Sequence, residues 1–159
     1  MALRKDANIS VSVRNPLSDY EVREKVVFNL QEEIEAAEDS REPPCQFALK
    51  WEGNQKRSYL QVLGPNETKT ALKKKKAKGV QVKDYTADDN GQWTPILAVE
   101  CRGLEPYAFH SLGDEFVVES EGGVTFEDVD LSEGDWGEYD EENDAAVAIS
   151  EFETKFEPL

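Results

Sequence analysis

Few residues in this chain have the types and the spacing that catalysis requires. Nucleophilic attack by Ser or Cys needs a positioned base, and the single histidine, His110, lies among turn-forming residues with no motif around it. The sequence has no Walker loop, no Gly-x-Gly-x-x-Gly, no His-Glu-x-x-His and no Cys-x-x-Cys pair. We therefore expect no enzymatic activity, no catalytic residue and no cofactor.

Metal binding is an alternative function that the sequence leaves open. Cys45, Cys101 and His110 carry ligands suited to a soft or borderline ion, but they lie far apart in the sequence. Residues 84–90 are rich in side-chain oxygens, yet they lack the spacing and the terminal Glu of an EF-hand loop. We interpret this oxygen-rich segment as a solvated turn at residues 87–91.

A small enzyme that uses clustered carboxylates is a further alternative. Asp128 and Asp130 are two positions apart, which places both side chains on one face of a strand. Paired acids can shift each other's pKa for acid–base catalysis, but such chemistry would also need an apolar pocket beside the pair. Without that pocket, both side chains are expected to be solvated.

Charge is distributed unevenly along the 159 residues. Residues 1–102 contain 17 basic and 16 acidic side chains, whereas residues 103–159, called the acidic third below, contain 18 acidic side chains and one basic residue, Lys155. The net charge of −16 disfavours binding to nucleic acid and to anionic membranes. Repulsion between two acidic thirds also argues against a homo-oligomer formed through this region.

The composition predicts a folded, intracellular domain. Hydrophobic residues make up 38% of the chain, which is too many for a fully disordered protein, and no segment resembles a signal peptide or a membrane span. Cys45 and Cys101 are therefore expected to be free thiols in a reducing compartment. Since the basic run at residues 73–78 also matches a nuclear localisation signal, the expected location is the cytoplasm, the nucleus or both.

Short apolar runs separated by turn-forming residues predict many β-strands. Residues 9–13 alternate apolar and polar side chains and fit a short strand or an arm, while residues 22–37 fit a helix face and a strand equally well. An antiparallel sandwich or barrel is the architecture typical of such a pattern. Further strand-like runs occur at residues 45–51, 58–63, 79–85, 94–101, 116–119 and 146–156.

Two charged segments interrupt this pattern and are candidate interaction sites. The first, called the lysine cluster below, precedes Gly79 and is expected to form a solvated hairpin tip. The second, residues 135–144, is expected to form an exposed acidic loop whose aromatic residues anchor it to the sheet or contact a partner. The lysine cluster comprises Lys73, Lys74, Lys75, Lys76 and Lys78, and the acidic loop contributes Trp136, Tyr139 and Asp140.

Three motifs follow one another in the second half of the chain. Cys-Arg-Gly-Leu-Glu begins at Cys101, Gly-Val-Thr-Phe-Glu-Asp-Val-Asp-Leu at Gly123 and Trp-Gly-Glu-Tyr-Asp-Glu at Trp136. In this order they resemble the eukaryotic CXXC-motif-containing zinc-binding proteins, also called domain of unknown function 866. The resemblance implies a two-sheet antiparallel β-sandwich. The first motif is expected to be structural, with Arg102 and Glu105 paired to each other or to the backbone, and it comprises Cys101, Arg102, Gly103, Leu104 and Glu105.

Upstream, the chain departs from this family at the metal site that the resemblance implies. Residues 47–51 are similar to the strand that leads into the first zinc knuckle, but Glu52-Gly53-Asn54-Gln55 stands in place of Cys-x-x-Cys. The lysine cluster occupies the approximate place of the second cysteine pair. Glu52 and Gln55 offer at most one anionic oxygen, whereas structural zinc takes four Cys or His ligands. We expect these degenerate positions to bind no zinc, with hydrogen bonds, an attraction between Glu52 and the lysines, or a partner in its place.

Residues 1–25 are extra relative to this resemblance and are expected to form an N-terminal arm ahead of a β-sandwich domain at residues 26–159. A lost metal site, an added arm and segregated charge favour a non-enzymatic protein-interaction module. Such a module would be a subunit or adaptor of an intracellular assembly. Its expected partner is a protein whose basic surface faces the acidic third.

Overall fold

The computed structural model describes residues 1–35, 42–77 and 79–159. Its strands are β1 (Ala2–Leu3), β2 (Asn8–Asn15), β3 (Ser18–Asn29), β4 (Phe47–Leu49), β5 (Ser58–Val62), β6 (Val99–Arg102), β7 (Glu105–His110), β8 (Phe116–Glu119), β9 (Thr125–Val129), β10 (Trp136–Asp140) and β11 (Ala145–Ile149). The helix α1 (Pro65–Lys74) and a 3₁₀ turn (Ala87–Asp89) lie between β5 and β6. The predicted all-β antiparallel sandwich is confirmed, with four short sheets of order β1-β8-β9, β10-β11, β3-β2-β7 and β4-β5-β6.

The first hydrophobic core lies between the β3-β2-β7 and β4-β5-β6 sheets. Ile9, Val11 and Val13 point into it from β2 because alternate residues of a strand face the same side, and none of the three is more than 2% exposed. Trp51 and Leu60 pack against them from the other layer. The alternation at residues 9–13 therefore builds the centre of this core.

A second core joins the β1-β8-β9 and β10-β11 sheets. Phe116 and Val129 are fully buried in it, and Trp136 covers it from β10. Leu3 and Phe109 pack against both cores. The second core therefore holds the acid-rich strands in place with apolar contacts to the rest of the sandwich.

Residues 1–25 do not form the expected arm. β1 pairs with β8, and β2 lies between β3 and β7, where Ser10 is opposite Val27 on one side and His110 on the other. The expected domain boundary at residue 26 falls inside β3 and separates no structural unit. The ambiguous segment that begins at residue 22 is a strand as far as Asn29, and its last two residues, 36 and 37, lie outside the described part.

The lysine cluster ends a helix, and the prediction of a hairpin tip is wrong. α1 starts with Pro65, whose fixed φ suits the first turn of a helix, and continues through strong helix formers such as Ala71. Lys73 and Lys74 occupy the last turn, where positive charge is stabilised by the helix dipole. Lys78 lies outside the described residues. No helix in the described part of the chain is long and apolar enough to cross a membrane.

Residues 135–144 form most of a β-hairpin, so the prediction of an exposed loop is also wrong. β10 and β11 pair along their whole length, from Trp136 opposite Ile149 to Asp140 opposite Ala145. Ile149 packs on the second core and anchors the acid-rich strand β10 beside it. Residues 79–85, which the sequence pattern assigned to a strand, contain none.

Candidate functional site

An open groove between β9 and β10 is the candidate binding site. Its volume is about 390 Å³, and it is lined on one side by four consecutive residues of β9, Thr125 to Asp128, and on the other by Trp136 and Glu138. The rings of Phe126 and Trp136 meet edge to face with their centroids 5.6 Å apart. Both rings are half-buried against the second core, so packing fixes the aromatic part of the groove.

Three carboxylates stand at the rim of this groove. Glu127, Asp128 and Glu138 are exposed, and within the described residues their side chains make neither an ion pair nor a hydrogen bond. Trp136 and Glu138 share a face of β10 because they are two positions apart. The groove therefore brings unneutralised negative charge next to aromatic rings, an environment that attracts an organic cation.

Asp140 is not on the exposed surface where the sequence pattern placed it. Its side chain is 1% exposed and accepts hydrogen bonds from Ser120 Oγ and from Asn143 Nδ2, both at 2.8 Å. The Asn143 amide is the main cause that lowers the pKa of this carboxyl below its usual 3.8. Asp140 therefore fixes the β10–β11 turn, while its neighbour Tyr139 is 51% exposed and free to contact a partner.

The described part of the lysine cluster is fully solvent-facing. Lys73 to Lys76 are all exposed, and none of them forms an ion pair within the described residues. The chain leaves the helix through Lys76, which has φ +54°, and the N–H of Ala77 bonds to the carbonyl of Leu72 at 3.0 Å, as in a Schellman motif. The cluster is thus an exposed positive tip at the end of α1.

The donor set at Glu52 and Gln55, the expected degenerate zinc-knuckle positions, does not fit zinc. Glu52 and Gln55 are exposed and supply one carboxylate and one amide, whereas structural zinc takes four ligands, mostly Cys and His. Among the described residues, no group of three or more His, Cys, Asp and Glu side chains is arranged to hold a metal ion. Within the described residues Glu52 forms no ion pair. The expected attraction between Glu52 and the lysines is therefore not a direct contact.

Polar contacts fasten the turn that carries Glu52 on both sides. Before the turn, the buried Trp51 donates its Nε1–H to the carbonyl oxygen of Gly103 at 2.7 Å. After it, Arg57 forms an ion pair with Glu42 at 2.6 Å. These two contacts tie the residues on either side of the turn to Gly103 and to Glu42.

The structure does not assemble a metal site from the cysteines and the histidine. Burial raises the pKa of the Cys45 thiol, and it raises the pKa of Cys101 to about 12. Nε2 of His110 is hydrogen-bonded to Ser12 Oγ at 2.7 Å. The thiolate is the form that binds metals. Burial therefore disfavours the metal-binding form of both cysteines.

Glu105 pairs with Arg14 and not with Arg102. The Arg14 guanidinium donates to the two carboxylate oxygens of Glu105 at 3.1 and 3.3 Å, and this hydrogen bonding lowers the pKa of Glu105. Arg102 is exposed, whereas Leu104 is buried in the first core. In this structure the motif at residues 101–105 joins β6 to β7 and β7 to β2.

Asp128 and Asp130 have different surroundings and do not share a pocket. Asp128 lines the groove, while Asp130 accepts hydrogen bonds from Oγ and N of Ser132 at 2.6 and 2.9 Å. The Ser132 hydroxyl is the main cause that lowers the pKa of Asp130. Both carboxylates are exposed, so no desolvated acid–base pair exists here.

The oxygen-rich segment at residues 84–90 contains the 3₁₀ turn, which Asp89 stabilises. Its Oδ2 accepts from Lys83 Nζ at 2.5 Å, and from N and Oγ1 of Thr86 at 2.9 and 3.0 Å. The Lys83 hydrogen bond is the main cause that lowers the pKa of Asp89 to about 2. This carboxylate is committed to the turn and is not a cation ligand.

Sequence reasoning missed two groups of residues. Phe126 and Glu127 of the groove were missed because the contact between Phe126 and Trp136 forms between two sheets, and no spacing within one strand signals it. Glu115 is 1% exposed and accepts hydrogen bonds from the backbone N–H groups of Leu112 and Gly113 at 2.8 and 3.1 Å. No local pattern distinguishes this turn-forming carboxylate from the solvated acids around it.

Comparison with known proteins gives matches along the chain. The family model described as CXXC motif containing zinc binding protein, eukaryotic, matches residues 2–157, so residues 1–25 are not an addition to the family. The UPF0587 protein CG4646 of Drosophila melanogaster is 50% identical over 72 residues, and the CXXC motif containing zinc binding protein of Rattus norvegicus is 39% identical over 75 residues. These matches cover 45% and 47% of this chain, and they span 44% and 47%, about half, of the two relatives.

Two solved structures share the fold. A hypothetical protein from Plasmodium falciparum superposes with a TM-score of 0.72 at 23% identity, over 94% of this chain and 90% of the other. The crystal structure of C1orf123 superposes with a TM-score of 0.73, also at 23% identity, over 94% of this chain and 83% of the other. At this identity the likeness is one of fold alone.

Proposed function

The chain belongs to the eukaryotic family of CXXC motif containing zinc binding proteins, but it contains no Cys-x-x-Cys pair. We propose that it is a protein-interaction module that has lost the zinc site of its family, with Glu52 and Gln55 at the positions expected for the first knuckle. In this proposal it is not an enzyme. It acts as a subunit or adaptor of an intracellular assembly, and its acidic third meets a basic surface of a protein partner.

The observation that carries this proposal is the rim of carboxylates around the aromatic groove. Glu127, Asp128 and Glu138 have no partner within the described residues, and Phe126 and Trp136 lie between them, half-buried. Aromatic residues are enriched in protein–protein interfaces, and complementary charge speeds association and selects partners. A groove of this composition is suited to a basic protein surface.

Four acidic residues outside the groove stabilise turns, which supports a role in binding over one in catalysis. Asp89, Asp130 and Asp140 each stabilise a turn, and the buried Glu115 does the same. General acid–base catalysis needs a carboxyl within reach of a bound substrate and with a pKa near the working pH. The three aspartates instead have lowered pKa values.

Affinity capture from cell extract tests the proposal. The chain is used as bait at about 50 mM and about 300 mM salt, because raising the ionic strength shortens the screening length of exposed charges. We expect defined partners with basic surfaces that are recovered at the lower salt and lost at the higher. A matched bait in which Lys73, Lys74, Lys75 and Lys76 are changed to Gln should recover the same partners. Recovery of the bait alone at both salts would contradict the proposal.

Elemental analysis separates this proposal from metal handling. The chain is purified under reducing conditions without chelators, and zinc per chain is measured before and after dialysis against EDTA. We expect a ratio near zero in both samples, because the knuckle positions provide one anionic ligand where zinc needs several. A ratio near one that falls on chelation would contradict the loss of the zinc site.

A further inference from the structure

We propose that the groove between β9 and β10 binds an arginine side chain of a basic segment in the protein partner. This deepens the proposed function and rests on it, since it names the part of the acidic third that makes the specific contact. The volume of about 390 Å³ is at the lower end of the range of about 300–1,000 Å³ for small-ligand pockets. It suits one or two long side chains and not a folded element.

The aromatic part of the groove favours a guanidinium. A planar guanidinium is weakly hydrated and stacks on aromatic rings, whereas the compact ammonium of lysine keeps its water more strongly. Trp is the best ring for such cation–π contacts, and Trp136 is held in place by its edge-to-face contact with Phe126. An arginine entering the groove therefore meets a ring whose position is fixed in advance.

The carboxylates provide the second half of the recognition. Glu138 stands on the same face of β10 as Trp136, and Glu127 and Asp128 lie on the facing strand. Arg4 reaches the backbone carbonyl of Glu127 and leaves the carboxylates of the rim unpaired. Hydrogen bonds from a guanidinium to a carboxylate are charge-assisted and can be bidentate, so the rim can orient the arginine that the ring attracts.

The same combination already holds an arginine elsewhere in this fold. The Arg14 guanidinium lies 5.7 Å from the centroid of the Tyr107 ring and donates to both carboxylate oxygens of Glu105. That arrangement uses one aromatic ring and one acid on neighbouring positions of β7. Trp136 and Glu138 offer the same pair of groups on β10, with no arginine of the described residues bound to the acid.

Fluorescence polarisation with labelled peptides tests the inference. The probe is an eight-residue peptide of alternating Arg and Gly, and the comparison peptide has Lys in place of Arg. We expect the Arg peptide to bind several-fold more tightly than the Lys peptide. Changing Glu127 and Glu138 to Gln and Asp128 to Asn should weaken binding of the Arg peptide by about tenfold or more, because three charges at the site are lost.

A second triple variant controls for overall charge. Glu121, Glu141 and Glu142 are exposed residues of the acidic third that do not line the groove, and their change to Gln removes the same three charges. We expect about a twofold loss at most. A Trp136→Phe variant, which retains a ring against Phe126, should weaken the Arg peptide more than the Lys peptide.

Several results would overturn the inference. The groove would not be the arginine site if the two triple variants lost binding equally or if the Arg and Lys peptides bound equally. The same conclusion would follow if the Arg peptide did not bind at low salt. The proposed function would survive these results, because affinity capture with the whole chain judges it separately. The chain could instead self-associate in a concentration-dependent way. If that association were lost both in the groove variant and in the bait with lysines changed to Gln, the occupant of the groove would be the lysine cluster of a second copy.

Discussion

Gly103, the central residue of the motif at residues 101–105, contacts both Trp51 and Ser58. Its φ of +75° lies in the left-handed region that favours glycine, and its carbonyl accepts the Trp51 indole hydrogen bond. A Cβ built on Gly103 would lie 2.2 Å from Ser58 Oγ. Glycine is thus required here both for the backbone conformation and for the close approach of β5.

The change Gly103→Ala should lower the free energy of unfolding by about 2–4 kcal/mol, since backbone strain and overpacking add. Gly53→Ala is the matched control, because Gly53 has a φ of +82° but a Cβ added there would meet no atom within 4 Å. The control should lose about 1 kcal/mol, from strain alone. Urea denaturation of both variants measures the difference, and equal losses would contradict the role of the Ser58 contact.

At the scale of one element, the end of α1 shows a local conflict. Helices commonly end with a glycine in the left-handed conformation, but here Lys76 occupies that position with φ +54°. The lysine adds charge to the exposed tip at the expense of backbone strain. The sequence of the cluster is therefore not the one that best stabilises its helix.

Replacing Lys76 with Gly should raise the free energy of unfolding by about 0.5–1 kcal/mol, because glycine adopts this φ without strain. The control Lys75→Gly changes a residue with φ −83° and removes the same charge, so it should be destabilising by a similar amount. Thermal denaturation followed by circular dichroism compares the two. A lower melting temperature for Lys76→Gly would show that the lysine side chain stabilises the helix end.

The elements that could be predicted from sequence are those whose signal is local. β8 was predicted with its observed bounds, Phe116–Glu119. The alternation at residues 9–13 fitted either a strand or an arm, and it did not show that both faces of β2 are buried. β9 and β10 are strands whose exposed acids hide the pattern, and their apolar support comes from β8 and β11. The helix was missed because lysine-rich segments are typical of turns as well.

The candidate site was predictable only in part, for the same reason. Trp136 and Tyr139 were identified from their position among acids, but Phe126 joins Trp136 through packing between two sheets, which no spacing in one strand reveals. Asp140 has the same surroundings in sequence as its exposed neighbours. Its burial follows from Ser120, twenty positions earlier, so the pattern at residues 135–144 could not separate the two kinds of acid.

Across the whole molecule, negative charge is concentrated and hardly neutralised. Within the described residues, Lys155–Glu157 is the only ion pair with both partners in the acidic third, and Arg14–Glu105 is the only one that crosses into it. Such a surface creates a field that repels copies of itself and accelerates encounters with basic partners. The uneven charge seen in the sequence is thus an uneven charge on the folded surface.

Acid should destabilise the fold through the carboxylates with lowered pKa values. For Asp89, the pKa is about 2 in the folded protein against a usual value of 3.8, so its stabilising contribution is complete above 3.8 and is lost as the pH falls through about 2. The difference in unfolding free energy between wild type and Asp89→Asn should therefore shrink between pH 4 and pH 2. Urea denaturation at a series of pH values measures it, with Asp88→Asn as the control for charge. A difference that stays constant over this range would contradict the assignment.

The position of β2 between β3 and β7 has a consequence for how the chain folds during its synthesis. β3 follows β2 within a few residues, so this hairpin can form early, whereas His110, the partner of Ser10 on the other side, emerges one hundred positions later. At about 5–20 residues per second, translation leaves that edge of β2 unpaired for about 5–20 s. An open strand edge is a template for pairing with other chains. We therefore expect the nascent protein to be prone to aggregation along this edge until β7 leaves the ribosome.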